Sequence, residues 1–177
     1  MGLGYPGGPI VDKMAGQGVA ARSPFPRPWL PQSWDFSFSG LKTAVLYKWR
    51  EKKRWSLPEK KDLCAGFQQS VVHVLVGKTL AAARATGMNR IAVGGGVAAN
   101  SLLRSEFARR AKKYGFHVSI APPELCTDNA AMIAAAAYYK LRGRRPAATN
   151  DLKIRPQLHL PFTEQRIPPF RISNVLP

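Results

Sequence analysis

Apolar residues recur at helical spacing in two stretches near the middle of the chain. Leu41, Val45 and Trp49 lie four positions apart, which predicts an amphipathic helix that begins near Ser39, a residue suited to cap it. The longest periodic segment covers residues 60–86 and ends before a glycine, which is a typical helix stop. Its apolar face is predicted to comprise Leu63, Phe67, Val71, Val74 and Leu75.

Two short apolar runs, residues 90–93 and 116–121, are typical of buried strands, and a predicted helix follows each of them. The N-cap candidates are Asn100 or Ser101 in the first helix and Thr127, Asp128 or Asn129 in the second, alanine-rich one. Leu103, Phe107, Ala111 and Tyr114 are predicted to form the inner face of the first helix. Gly115 and Gly143 are placed to end the two helices. This alternation of strands and helices predicts an α/β fold with a mostly parallel sheet.

The two ends of the chain have a different character from its middle. Residues 1–35 are rich in Gly and Pro, which predicts loop with short extended pieces. Residues 35–38 alternate as a short strand does. Residues 144–177 are predicted to form an irregular, basic, proline-rich tail. We therefore expect one domain over residues 1–143, followed by this tail.

The chain is strongly basic. It carries 27 Lys and Arg against 10 Asp and Glu in 177 residues, a formal net charge of +17. Such a balance predicts a polyanionic partner, either nucleic acid or an anionic membrane surface. No apolar run of about 18 residues exists, so no spanning helix is expected. The two cysteines have no metal-type spacing, and the first residues lack a secretory signal pattern, so we expect a cytoplasmic protein.

The positive charge is concentrated in three clusters. Residues 42–61 carry eight Lys or Arg against two Glu, residues 104–113 carry five against one, and residues 140–166 carry seven against two acids. Trp49 and Trp55 lie inside the first cluster, and aromatic faces beside cations are typical of single-stranded nucleic-acid sites. The alternative is a solvated helix face with both tryptophans packed in the core.

Gly94, Gly95 and Gly96 separate the first predicted strand from the helix after it. Residues without a Cβ let backbone N–H groups approach a ligand closely, and a helix N-terminus behind them favours negative charge, as on a nucleotide phosphate. Asn100 adds an amide that can donate to and accept from a ribose or base. The loop matches neither GxGxxG nor the phosphate-loop pattern, and tight packing of helix on strand is the alternative.

Two carboxylates stand beside loops. Asp12 follows a glycine turn at residues 4–9, where it could bind ribose hydroxyls or serve only the turn and the helix cap. Asp128 precedes the alanine-rich helix, where it could ligate a metal ion or act as the N-cap. One carboxylate does not hold a metal, and the three histidines show no ligand spacing. The sequence contains no recognisable nucleophile–base or paired-carboxylate arrangement.

Four motifs occur in a recognisable order, at residues 4–9, 35–44, 94–100 and 126–134. Together they resemble the C-terminal half of the universal tRNA adenosine threonylcarbamoyltransferase family. The resemblance implies an actin/Hsp70-like (ASKHA, ribonuclease H-like) ATPase fold, of which this chain supplies one lobe and part of the other. It also implies transfer of a threonylcarbamoyl group from threonylcarbamoyl-AMP to N6 of the adenine 3′ of the anticodon, in tRNAs that read codons beginning with A.

The resemblance also assigns roles to individual residues. Gly8, Asp12 and Asn100 match family positions that bind the nucleotide part of the adenylate, and we place the glycine loop beside them. Asp128 matches the carboxylate ligand of a divalent metal, iron or zinc, and thus becomes a metal-ligand candidate. The remaining family ligands are a His-x-x-x-His pair, which this chain lacks. We therefore expect the chain alone neither to retain the metal nor to transfer the group.

The implied partners are tRNA, threonylcarbamoyl-AMP and the other subunits of a threonylcarbamoyl transfer complex, and no membrane is implied. A non-catalytic nucleotide- and tRNA-binding scaffold of the same fold is the main alternative. A phosphotransferase resembling the sugar kinases fits less well, because the catalytic Asp motif of those kinases is not recognisable in the sequence.

Overall fold

A computed structural model of the chain describes residues 2–30 and 33–142. The helices are α1 (Gly7–Ala15), α2 (Ser39–Arg50), α3 (Leu57–Ala85), α4 (Ser101–Tyr114) and α5 (Ala130–Leu141), and the strands are β1 (Arg90–Val93) and β2 (His117–Ile120). Each helix and strand predicted at residues 39–141 is present. The predicted tail, residues 144–177, and the predicted stop at Gly143 lie outside the described residues.

The two strands pair in parallel, with Arg90 opposite His117 and Val93 opposite Ile120. The helix α4 connects them, which is the crossover that a parallel pair requires. This confirms the α/β class and the parallel pairing. The core contains Val72, Val76, Leu80, Leu103 and Phe107, and Ile91, Val93, Val118 and Ile120 of the strands pack against it.

The helix α3 is surrounded by other elements. Even its glycines are buried: Gly66 lies against neighbouring backbone and Gly77 against the ring of Trp29. A Cβ on Gly66 would lie 1.8 Å from the carbonyl oxygen of Ser23. The predicted apolar face is only partly interior: Leu63 and Val74 are fully buried, whereas Phe67, Val71 and Leu75 are half-buried and line open clefts.

The helix α1 contradicts the prediction of loop at residues 1–35. Two glycines and a proline open this helix, and such poor helix formers favour a loop when the sequence is read alone. In the structure Val11 and Met14 pack against the cluster of buried residues around Cys64 on α3. This tertiary contact stabilises a helix of nine residues that is too short to persist in isolation.

Lys78, in the middle of α3, has 1% of its surface exposed. Its ammonium donates hydrogen bonds to the carbonyl oxygens of Leu30 (3.4 Å), Ser33 (2.8 Å) and Asp35. Burial lowers the pKa of Lys78, and the nearby Asp35 charge opposes that shift. The predicted strand at residues 35–38 is wrong: the segment is irregular, and its first carbonyl, that of Asp35, bonds the ammonium.

Side-chain caps define where several helices begin. Ser56 and Glu59 form a reciprocal capping box at the start of α3. Asn100 caps α4 and Asn129 caps α5, which confirms one candidate in each predicted set. The helix α2 begins at Ser39 itself and has no side-chain cap, so the prediction that Ser39 caps it is wrong.

Every residue of α5 is exposed. Met132, Ile133, Tyr138, Tyr139 and Leu141 give this helix a largely apolar surface. Across residues 2–30 and 33–142, no helix is both long and apolar enough to span a membrane.

Replacement of Gly66 by alanine is expected to destabilise the protein, although alanine is the better helix former. The added methyl group must push away the backbone at Ser23, and overpacking of this kind costs about 1–3 kcal/mol. Gly40→Ala is the matched control, because that helical glycine has no heavy atom within 4 Å of the Cβ position. Urea unfolding measures both changes. Equal stability of Gly66→Ala and Gly40→Ala would contradict the close approach of residue 23 to α3.

Candidate nucleotide-binding site

A cleft of about 630 Å³ lies between α1, α3 and the segment that leads into α4. It is lined by Gly8, Asp12, Gly96 and Asn100, four of the six residues predicted to contact a nucleotide. They come from separate parts of the chain and meet because α1 packs along α3. Most of the remaining wall is apolar and comprises Val11, Phe67, Val71, Val72, Leu75, Val97 and Leu103.

The Asp12 carboxylate joins the three walls of this cleft. Its Oδ1 accepts hydrogen bonds from Gln68 Nε2 (3.0 Å), Asn100 Nδ2 (3.1 Å) and Ser101 Oγ (2.8 Å). Its Oδ2 accepts only the backbone N–H of Ser101 (3.1 Å) among the described residues. Hydrogen bonds to an ionised acceptor are the strong kind, so Asp12 holds α1, α3 and α4 in register. One acceptor position on Oδ2 is left for a ligand hydroxyl.

Asn100 is engaged on both ends of its amide. Nδ2 donates to Asp12 Oδ1 and to Gln68 Oε1 (3.0 Å), and Oδ1 accepts the N–H of Leu103 (2.9 Å). Both amide hydrogens are therefore used within the protein. Asn100 can offer a ligand one acceptor position, rather than the donor and acceptor that the sequence suggested.

Gln68 is the member of this network that sequence analysis missed. It is buried, with 5% of its surface exposed, and it bonds both Asp12 and Asn100. The available signal was a glutamine among the apolar residues of α3, since a buried polar side chain needs partners. Its two partners lie 56 and 32 residues away along the chain, so no local pattern identifies them.

The first turn of α4 has few donors left for an anion. The N–H of Ser101 bonds Asp12, and the N–H of Leu103 bonds Asn100. Asp12 also places its negative charge at the positive end of the helix. The protein itself thus supplies the charge that this helix terminus favours, and a phosphate finds neither of these N–H groups free.

The three loop glycines do not act as one unit. Gly96 lines the cleft with Asp12, whereas Gly94 lines a second cleft of about 710 Å³, together with Phe38, Lys42 and Thr79. Gly95 has φ +87° and ψ 167°, a conformation that is essentially restricted to glycine. Of the three, Gly96 is therefore the candidate for contact with a ligand held by Asp12.

Comparison with known proteins shows to which family the chain belongs. A sequence model of the tRNA N6-adenosine threonylcarbamoyltransferase family matches residues 1–135. The chain belongs to this family.

The curated relatives show how much of a family member is present. A tRNA N6-adenosine threonylcarbamoyltransferase from Thermotoga neapolitana is 48% identical over 143 residues, which are 80% of this chain and 43% of that protein. The protein of that name from Geobacter sulfurreducens is 48% identical over 165 residues, which are 90% of this chain and 48% of that protein. The chain thus spans somewhat less than half the length of these relatives.

Asp128 lies apart from the hydrogen-bond network of the cleft. It is exposed, and Asn129 rather than Asp128 caps α5. Within residues 2–30 and 33–142, its carboxylate accepts no hydrogen bond and forms no ion pair. The same residues contain no group of three or more His, Cys, Asp or Glu side chains that could hold a metal ion. The described part of the chain therefore does not by itself provide the ligand set of a metal site.

The two carboxylates should respond differently to substitution. Asp12→Asn replaces an acceptor by an amide that faces four donors, and we expect a loss of about 1–3 kcal/mol in unfolding free energy. Asp128→Asn removes no contact of the described residues and is expected to change stability by less than about 0.5 kcal/mol. Chemical denaturation measures both. If Asp12→Asn is as stable as Asp128→Asn, the Asp12 network does not hold the cleft together.

Proposed function

We propose that this chain provides the nucleotide-binding part of an enzyme that transfers the threonylcarbamoyl group from threonylcarbamoyl-AMP to N6 of the adenine 3′ of the anticodon. Its substrates are the tRNAs that read codons beginning with A. The observation that carries the proposal is the meeting of Gly8, Asp12, Gly96 and Asn100 in one cleft of a chain that belongs to the threonylcarbamoyltransferase family.

The chemistry of the cleft supports the adenosine moiety, rather than the phosphate, as the part of the adenylate that it holds. Apolar side chains of α3 and Val97 form walls suited to a flat base. The remaining acceptor positions on Asp12 Oδ2 and Asn100 Oδ1 suit ribose hydroxyls and an exocyclic amino group. Lys13 is the only cation among the lining residues, and the α4 terminus is already bonded. This differs from the phosphate cradle that the glycine loop suggested.

The proposal includes the actin/Hsp70-like fold, with this chain as one lobe and part of the other, and with residues 1–143 as the domain and residues 144–177 as its tail. Support comes from family membership and from the order α3, β1, α4, β2, α5. Parallel sheets are normally larger and covered on both faces. The strand β1 pairs only with β2 in the described part, which leaves one of its edges for further strands of the complete fold.

We propose that Asp128 is one ligand of a divalent metal, iron or zinc, whose other ligands lie outside the described residues. Support comes from its exposed carboxylate, which forms no hydrogen bond or ion pair among the described residues. The isolated chain is proposed not to retain the metal and to be inactive. We place the complete enzyme in the cytoplasm with tRNA, threonylcarbamoyl-AMP and partner subunits of the transfer complex.

A non-catalytic scaffold that binds nucleotide and tRNA is the second candidate. Two observations favour it. The described residues contain no group of three or more side chains that could hold a metal ion, and the sequence contains no recognisable acid–base pair. The two candidates share nucleotide binding and differ in group transfer.

Nucleotide binding should depend on Gly96 and not on Gly94. A Cβ on either residue meets nothing within 4 Å, so both positions accept a side chain without a clash. Gly96→Val fills the cleft that Asp12 lines and is expected to weaken AMP binding at least about tenfold, or roughly 1.4 kcal/mol. Gly94 lines only the second cleft, which shares part of its wall with the first, and Gly94→Val serves as the control for a side chain added to the same loop. Calorimetry that finds equal affinities in the two variants would remove the first cleft as the nucleotide site.

Group transfer is tested in a complete protein. In the Geobacter sulfurreducens relative, the matched region is replaced by this chain, and transfer of labelled threonylcarbamoyl to tRNA is measured with the metal content. The chimera is expected to be active, and Asp128→Asn is expected to lower both metal content and transfer at least about tenfold, because a neutral amide is a poor ligand for such metals. Glu124→Gln, on a neighbouring exposed carboxylate, is the control.

Two outcomes would count against the enzyme. A folded chimera that binds AMP and tRNA but transfers nothing would favour the scaffold. Full metal content and full activity in Asp128→Asn would show that Asp128 is not a ligand.

A further inference from the structure

The turn between α2 and α3 is a concentrated source of positive charge. We name residues 48–61 the α2–α3 corner, and this segment carries seven Lys or Arg against two Glu. Both acids are neutralised locally: Glu51 bonds Lys48 at 2.9 Å, and Glu59 is paired with Lys52. Hydrogen bonds from Lys52 and Ser56 lower the pKa of Glu59 to about 2. The net positive charge of the corner therefore comes from its other Lys and Arg residues.

The two tryptophans make this corner rigid. The rings of Trp49 and Trp55 stack with centroids 5.4 Å apart and planes 13° apart, and Trp55 Nε1 donates to the carbonyl oxygen of Trp49 at 3.0 Å. The ammonium of Lys60 lies 5.7 Å from the Trp49 centroid, and that of Lys52 lies 5.3 Å from the Trp55 centroid. Because the indoles stack on each other and carry lysines, they serve the fold rather than base stacking. The alternative of two tryptophans packed in the core is not what the structure shows either, since both are half-buried and belong to neither core cluster.

Three cations of the corner point to a partner outside the described residues. Arg50, Lys53 and Arg54 are exposed, and within residues 2–30 and 33–142 none of them forms a hydrogen bond or an ion pair. They lie within five positions of one another on a turn whose backbone is held by the tryptophan stack. Several exposed cations on one short turn match a polymer of phosphates better than a single small anion.

The corner also lies within reach of the nucleotide cleft. Gln68, which lines the cleft, is eleven residues beyond Leu57, the first residue of α3. At 1.5 Å per residue this separation is about 16 Å along the helix axis. One folded RNA can therefore contact the corner with its backbone while a nucleotide of the same molecule approaches the cleft.

We propose that the α2–α3 corner binds the phosphate backbone of the tRNA substrate through Arg50, Lys53 and Arg54. The inference rests on the proposed function for the identity of the RNA. Contacts to phosphate position a nucleic acid without reading its sequence, so the corner orients the tRNA and does not itself select the adenine. Binding at the corner is by charge alone, because the indole rings of Trp49 and Trp55 stack on each other instead of on a base.

The far end of α3 provides a matched control surface. Arg84 lies near the last residue of α3, Arg90 begins β1, and Lys112 lies in the last turn of α4; all three are exposed and basic. Arg84 is 27 residues beyond Leu57, which corresponds to about 40 Å along the helix. Variants that remove the same charge from the corner and from this distant end can therefore show whether tRNA binding depends on the corner.

The test compares two triple variants of the full 177-residue chain: Arg50→Gln with Lys53→Gln and Arg54→Gln, and Arg84→Gln with Arg90→Gln and Lys112→Gln. Binding of an unmodified tRNA transcript is measured by fluorescence anisotropy over a range of KCl concentrations. The corner variant is expected to lose at least about tenfold in affinity near 0.1 M salt, and its plot of log K against log[KCl] should be shallower by about 2–3 units. The control variant should stay within about twofold of the wild type.

Several outcomes would overturn the inference. Equal losses in both triple variants would mean that net charge alone attracts RNA, and no loss in the corner variant would place the contact elsewhere. Loss of binding to vesicles of an anionic phospholipid, with tRNA binding intact, would identify the corner as a membrane surface. AMP binding, measured on the same proteins, should be unchanged in both variants and reports that the fold is intact.

Failure of the corner contact can be distinguished from failure of the proposed function. If the chimera proves inactive while only the corner variant loses tRNA binding, the corner contact stands and the enzymatic role fails. If the chimera is active and its corner variant binds and modifies tRNA as the unaltered chimera does, the corner contact fails and the enzymatic role stands.

Discussion

The close approach of neighbouring backbone to α3 is the constraint on which the rest of the structure depends. At Gly66 the carbonyl of residue 23 occupies the space of a side chain, and at Gly18 a Cβ would lie 2.2 Å from the carbonyl oxygen of Lys61. These two contacts fix the segment that follows α1 against the first half of α3. The position of α1 follows from them, and with it the distance from Asp12 to Gln68. A site assembled from three parts of the chain thus depends on glycines that carry no chemistry of their own.

The polar network of the cleft illustrates how structural and ligand-binding roles share the same atoms. Asp12 and Asn100 spend most of their hydrogen-bonding capacity on each other, on Gln68 and on the start of α4. A buried network of this kind is stable when its members are satisfied and costly when one is removed. Preorganisation follows, since the acceptors that remain for a ligand are already held in place before the ligand arrives.

Sequence reasoning succeeded where structure is local and failed where it is tertiary. The helices α2 to α5 and both strands follow from periodicity and from stop and cap residues near their ends. The helix α1 could not be predicted in this way. It begins with two glycines and a proline, which are poor helix formers, and it is stabilised by packing on α3. The irregular segment at residues 33–38 could not be predicted from local pattern either, because its carbonyls bond Lys78, more than forty residues away. In the site, motif positions identified Asp12 and Asn100, but only the fold shows that they bond each other directly and that Gln68 bonds both.

The placement of the indole side chains has a consequence for spectroscopy. All four tryptophans of the chain, Trp29, Trp34, Trp49 and Trp55, lie in the first third of the sequence. Two of them are stacked at the α2–α3 corner, and Trp29 lies beside the Lys78 ammonium, 5.8 Å from its ring centroid. Intrinsic tryptophan fluorescence therefore reports the corner and the segment held by Lys78, because β1, β2 and α5 contain no tryptophan. Far-ultraviolet circular dichroism is dominated by the helices. A difference between the two signals during unfolding would thus show the tryptophan-bearing part separating from the rest of the helical structure.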